Sequence, residues 1–397
     1  MNSLLKLVKN RPYELLTAAA ILVFFLCKLH DVNIPYNWDE MGVYVPAAFH
    51  MKDAGHISLL PGSLESLFSR GYPLLFTFCN ALVFKIFGDT ITVGHLFALF
   101  LGIATLLLFF LIAKNLFNRK VAFFATVLLS AQPIFFTLSV QILLFIESIT
   151  DKDFFTLKRF RLFLLGATPL FVFGLFLIIQ KVQNGWFLFP EHMGYIHWEM
   201  EKLSKGAGRI FQDMFIWQGR WLVGVSFLAG ILLSLFSKLL KIDPKGKIIY
   251  TFTLFIFLAF IFADINYFLP RYILYVIPFI VLGGTYTAIV IFEKIFSNLK
   301  AFQWVMIIFF CGYGIVLGHK NMYKSPDTCD MSYKLVVNVS QQAIHWAEQN
   351  WSKDTIEANF PIGKSLKYHI IKTFDDSYTH IVAVEFERND SKSTGKE

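Results

Sequence analysis

The chain reads as a series of long apolar blocks separated by short polar joints, not as the one-sided stripes of soluble helices. Nine blocks are candidate membrane spans, at about 13–30, 72–87, 91–113, 121–147, 162–180, 217–237, 248–264, 271–292 and 302–318. Several reach the roughly 18–20 residues needed to cross a hydrocarbon core about 30 Å thick. The fourth contains Pro133 and is long enough to be two shorter pieces. From about His319 the pattern turns polar. There Leu335, Val339, Ala343 and Trp346 recur at three- and four-residue spacing, which predicts a helix over about Ser332–Asn350. Short strands are expected near Thr355–Asn359 and Thr379–Glu385, and the tail from Arg388 has the polar composition of a disordered end. The expected division is a transmembrane domain (1–318, with a first external loop at 31–71), an external α/β segment (319–387) and a disordered tail (388–397).

Composition and charge refine this picture. Hydrophobic residues make up 56% of the chain and charged residues 16%, against about 25% charge in soluble domains. The net charge of +8 comes from Lys and Arg in short loops at helix ends. That is a topology signal, and it points to anionic headgroups or phosphates as partners. No nucleic-acid motif is present. Cys27, Cys79 and Cys311 fall in apolar stretches and Cys329 in a polar one, so no disulfide framework is implied. Lys6, Lys9 and Arg11 precede the first apolar block, which has no small-residue cleavage site and reads as a retained helix.

With that basic end inside, the loop at 31–71 is external. The lysine-rich segments 238–247 and 293–300 then fall inside, as does the loop holding Lys152, Lys158, Arg159 and Arg161. One loop, with Lys114, Arg119 and Lys120, comes out external against the bias. On the same count His95 is cytoplasmic, and no chemistry is assigned to it. The C-terminal segment is external.

The external loops hold the candidate chemistry. The first begins Asn37-Trp38-Asp39-Glu40, followed by Tyr44, Ala47 and Ala48. A carboxylate just beyond a span can take the proton of an acceptor hydroxyl as that oxygen attacks an anomeric carbon. One base suffices for a single inverting displacement, because a departing lipid phosphate needs no protonation. Equally, Asp39 can cap a juxtamembrane helix with Glu40 in its first turn. The loop ends Ser69-Arg70-Gly71-Tyr72-Pro73-Leu74-Leu75, which places Arg70 where a lipid phosphate would lie, or where an interfacial anchor would.

At the start of the eighth block, Pro270-Arg271-Tyr272 puts an arginine close to hydrocarbon. Its fork suits a phosphate through paired hydrogen bonds, and snorkelling to headgroups is the ordinary alternative. Glu191 and His192, in the aromatic stretch Gly185–His192, have no third metal ligand at suitable spacing. A divalent metal is therefore not indicated. No glycine-rich nucleotide loop or Walker pattern occurs, so no cofactor is expected and a lipid-linked donor fits better than a nucleotide sugar.

Taken in order, Trp38-Asp39-Glu40 with Tyr44 and Ala48, Gly71-Tyr72-Pro73-Leu74-Leu75, Gly185–His192, Pro270-Arg271-Tyr272 and the piece beginning Cys329-Asp330-Met331 resemble the bacterial branch of the protein O-mannosyltransferase and aminoarabinose-transferase superfamily, the GT-C type glycosyltransferases. The resemblance implies an all-α polytopic fold of about nine transmembrane helices, with juxtamembrane helices in the first external loop. It implies a bacterial inner-membrane enzyme that moves a sugar from a polyprenyl-phosphate donor to a lipid, glycan or protein hydroxyl on the periplasmic face. Asp39 falls on the catalytic aspartate and Glu40 on the second acidic position. Arg271, and after it Arg70, fall on donor-phosphate positions, with Tyr44, Tyr72, His192 and Tyr272 as candidate substrate contacts.

The chain departs from the pattern after Pro133, where two or three helices of the family are absent. Two other readings follow from the same residues: a transporter of lipid-linked glycans, and a non-catalytic relative that serves as a membrane partner.

Overall fold

The computed structural model describes residues 10–36, 40–138, 157–193, 200–236, 246–265, 269–323 and 331–351. Among these residues the regular structure is helical, with no strand. In chain order the helices are α1 (Pro12–Leu29), α2 (Val45–Asp53), α3 (Ser66–Ser69), α4 (Leu75–Phe87), α5 (Ile91–Leu116), α6 (Arg119–Ser130), α7 (Pro133–Leu138) and α8 (Leu157–Asn184). They continue as α9 (Pro190–Met193), α10 (Met200–Phe215), α11 (Trp221–Phe236), α12 (Gly246–Ile265), α13 (Ile277–Ile295), α14 (Lys300–Lys320) and α15 (Tyr333–Trp351). Among the described residues five helices are long and apolar enough to cross a membrane, lying within α1, α5, α12, α13 and α14. The chain is an all-α polytopic membrane protein. The expected strands at 355–359 and 379–385, and the tail, lie outside the described residues.

The chain divides into two compact units, Met1–Asp31 with Leu96–Ser332, and Val32–His95 with Tyr333–Glu397. In the larger, α13 is the central helix, buried at every position from Ile277 to Ile289. Small residues let α11 and α13 approach backbone to backbone. A Cβ on Gly284 would collide with the Val223 carbonyl, and one on Gly230 with the Thr287 hydroxyl.

The fourth apolar block breaks as its length suggested. Asn118 caps α6 by accepting the Val121 N–H at 2.9 Å. The helix stops at Ser130 because Pro133 cannot continue it and pushes the residue before it out of helical geometry.

One end of this unit collects basic side chains. Arg119 pairs with Glu14 at 3.2 Å and donates to the Asn10 carbonyl at 3.1 Å. Lys120 pairs with Glu293 at 2.9 Å and lies 4.1 Å from the centre of the Trp304 ring. The starts of α1, α6 and α14 and the finish of α13 therefore share one end.

In the smaller unit α2 lies along α4. The Phe49 and Phe84 rings stack at 4.9 Å. Tyr44, heading α2, meets Tyr72 at 6.1 Å and Phe76 at 5.5 Å at the head of α4. At the other end Lys52 pairs with Asp89, just past α4, at 2.8 Å. Ala47 and Ala48 are fully buried beside Met51, Leu74, Ala81 and Phe84, so the small residues of the first-loop motif are set by this packing.

The arrangement corrects the expected span at 72–87. Helix α4 has 13 residues, roughly 20 Å at about 1.5 Å per residue, well short of a core about 30 Å thick. Both of its ends touch the 36–53 segment, so α4 begins and finishes on the face of the first loop. Removing that crossing moves the Lys114–Lys120 loop to the face of the basic N-terminus, where the Arg119 contacts with Glu14 and Asn10 require it. The Lys120–Glu293 pair holds the 293–300 segment at that same end, so the count of crossings after α5 changes as well. His95, expected on the opposite face from the first loop, is on the same one.

Candidate functional site

Asp39, with Asn37 and Trp38, lies outside the described residues. Glu40 is described. It opens a single wide turn, Glu40–Tyr44, that runs directly into α2, and its carboxylate is half-exposed. His95 Nε2 stands 3.5 Å from Glu40 Oε1, and His95 Nδ1 stands 3.1 Å from the Val32 carbonyl oxygen. Tyr36 closes one side of the imidazole, edge-on at 5.0 Å. Its hydroxyl fits against Gly94, where a Cβ would collide with it. Burial, joined by the Glu40 and Asp89 charges, pushes the Tyr36 phenol well above its ordinary value. Tyr36 is therefore a neutral wall of the site.

The expected substrate tyrosines Tyr44 and Tyr72 are brought together at the head of α4. Arg70 terminates α3 in the left-handed conformation (φ 43°, ψ 30°), its N–H donating to the Ser66 carbonyl at 2.8 Å. Gly71 follows at φ 71°. Two consecutive left-handed residues turn the chain sharply into Tyr72-Pro73. For arginine that conformation costs about 1–2 kcal/mol, which is the kind of local strain found where a side chain must be aimed.

Arg271 and Tyr272 belong to the other unit. They sit on a tight turn, Pro270–Ile273, whose Pro270 and Ile273 are buried while Tyr272 is exposed. The Arg271 guanidinium lies 5.7 Å from the centre of the Tyr272 ring, a cation–π spacing. Helix α10 packs against this turn and against α12. Gly206 of α10 gives room to the Asp264 carboxylate near the end of α12, which a Cβ would reach at 2.7 Å.

Just beyond α10, Arg220 is 1% exposed. Its Nε donates to the Asp213 carbonyl at 2.8 Å, and one terminal nitrogen donates to Gln218 Oε1 at 2.8 Å. Arg220 thus satisfies a carbonyl at the end of α10, a structural clamp between α10 and α11. The side chains of Glu191 and His192 lie outside the described residues. Among the described residues no group of three His, Cys, Asp or Glu stands at metal-holding distance.

Sequence reasoning missed His95, α10 and the Arg220 clamp. A signal for the first was present: the basic 114–120 loop on the wrong face already argued that one apolar block before it does not cross.

The matched family has its own footprint on this geometry. Residues 72–148 match the Dolichyl-phosphate-mannose-protein mannosyltransferase family model. That match supports a membrane glycosyltransferase of the GT-C type. It opens at Tyr72, runs through α4 and α5, and includes His95, while Glu40 and Arg271 lie outside it. No curated protein and no solved structure matches the chain significantly.

Proposed function

We propose that this glycosyltransferase moves a sugar from a polyprenyl-phosphate donor to an acceptor hydroxyl on the external, periplasmic face of a bacterial inner membrane. The observation that carries the reading is the family match over residues 72–148, whose first helix packs on the loop that bears the acidic pair. The acceptor is a lipid, glycan or protein hydroxyl.

In this reading Asp39 accepts the acceptor's hydroxyl proton. The acceptor oxygen bonds to the anomeric carbon with inversion as the bond from that carbon to the phosphate oxygen breaks. The lipid phosphate leaves as an anion, held by the Arg271 fork and by Arg70. Tyr44, Tyr72, Tyr272 and His192 contact the sugar. The charge bias supports the orientation: the Lys6–Arg11 end, the Lys114–Lys120 loop and the Lys294–Lys300 segment are cytoplasmic, which leaves the first loop outside.

The test is release of polyprenyl phosphate from polyprenyl-phosphate mannose by the purified chain in nanodiscs, with and without added acceptors. Arg271→Gln is expected to raise the donor KM at least tenfold, the loss of one charge-assisted hydrogen bond at about 1.5–3 kcal/mol. An unchanged KM removes Arg271 from the donor site.

A further inference from the structure

The Glu40–His95 contact goes beyond that division of roles. We propose that His95 is a positioning residue: its imidazolium holds Glu40 as a fixed carboxylate at the edge of the acidic motif, so that Glu40 is a paired anion and Asp39 acts as the base. The assignment of the base rests on the reading above. The pairing rests on the geometry alone.

The argument starts from which nitrogen carries a hydrogen. The Val32 carbonyl 3.1 Å from His95 Nδ1 can only accept, so Nδ1 is the donor. In a neutral ring Nε2 is then a lone pair, and it would face a carboxylate that also offers only lone pairs, 3.5 Å away. A proton on Nε2 turns that contact into an ion pair. The half-exposed Glu40 keeps its charge through water, and the mostly buried ring supplies the cation.

Among the described residues, Glu40 from the loop and Tyr36 from the segment after Val32 face the ring. Tyr36 is held neutral, as described above. Asp89, the next carboxylate along, is met by Lys52 at 2.8 Å. Glu40 faces the imidazole directly, its Oε1 3.5 Å from Nε2. Backbone geometry keeps the ring in place: Gly94 admits Tyr36 beside it, and Thr92 Oγ1 donates to Asn33 Oδ1 at 2.6 Å, tying the start of α5 to the same segment.

Because Glu40 directly follows Asp39 in the chain, fixing its carboxylate anchors the motif on that side. Displacement of a reacting group by about 1 Å costs on the order of 10²-fold in rate. Loss of His95 is therefore read in kcat and not in donor affinity, which belongs to the arginines.

Two measurements on the full chain in nanodiscs test this. The first is nitrogen NMR of 15N-labelled histidine near neutral pH, with the His95 signals identified by their loss in His95→Gln. Both ring nitrogens are expected to be protonated in the native chain, and Nε2 to lose its proton in Glu40→Gln. A native ring with Nε2 bare overturns the proposal, as does one unchanged by Glu40→Gln.

The second is donor turnover against pH, using polyprenyl-phosphate mannose. His95→Gln is expected to lower kcat up to about 10²-fold at unchanged donor KM and to alter the pH profile. His95→Lys, which keeps a cation, is expected to restore most of the rate. Equal losses in the Gln and Lys variants contradict the positioning role. If the native chain turns over no donor, the glycosyltransferase reading fails, and the NMR result still decides the pair.

Discussion

The reassignment of α4 makes a sharp prediction about sidedness. If α4 crossed the bilayer, Asp89 would stand about 30 Å, one hydrocarbon thickness, from the first loop. Its carboxylate is instead 2.8 Å from Lys52. The helix itself offers roughly 20 Å, leaving a mismatch of about 10 Å that would cost fractions of a kcal/mol per Å, besides exposing the separated charges. The perturbation is a set of single cysteines in a chain whose native cysteines are replaced: His56→Cys in the first loop, Asp89→Cys after α4, and Asn115→Cys at the end of α5. All three sites are exposed. Intact cells are treated with a membrane-impermeant maleimide, then opened and treated with a second label. His56→Cys and Asp89→Cys are expected to react alike from outside, and Asn115→Cys only after opening. Labelling of Asp89→Cys together with Asn115→Cys, and apart from His56→Cys, refutes the reasoning.

Other outcomes follow from individual contacts. Gly284→Leu drives a side chain into the Val223 carbonyl, and should lower stability by about 1–3 kcal/mol or more, read by thermal unfolding in detergent; an unchanged midpoint contradicts the α11–α13 packing. Arg70→Gly removes left-handed strain, and should leave stability equal or raise it by up to about 1 kcal/mol while weakening donor binding; a clear loss of stability shows the side chain holds the fold and not the donor. The Tyr36 phenol is raised in the folded chain, so above about pH 10 the unfolded chain ionises it first and stability falls as pH rises. Unfolding midpoints at pH 9 and pH 11 should therefore converge in Tyr36→Phe relative to the native chain, and an identical pH dependence in both removes Tyr36 as the cause.

Much of the helical layout was legible because hydrophobic blocks are the strongest signal a membrane chain carries. The C-terminal helix was placed to within a residue at each end, from Leu335, Val339, Ala343 and Trp346. Yet Leu335, Val339 and Trp346 are exposed while Val337 is buried, since periodicity reports a helix and not what covers its face. Helix α4 was misread because apolar content does not separate a span from a helix lying against a loop. Length does: 13 residues is too few.

Glu40 was visible as a motif, but its partner was not. His95 comes from another helix, and the miscounted crossing put it on the wrong face. Tyr44 and Tyr72, named through a resemblance, are neighbours because α2 packs on α4. The Arg220 clamp was hidden because a buried arginine satisfying a helix end looks, in sequence, like any interfacial arginine.

The catalytic assignment turns on one side chain. Turnover of polyprenyl-phosphate mannose should be measured for the native chain and for Asp39→Asn, with folding of both checked by unfolding midpoint. The account predicts a loss of about 10²–10⁴-fold in kcat, the worth of a general base, at a similar donor KM. A rate equal to that of the native chain would show that Asp39 takes no proton in the reaction.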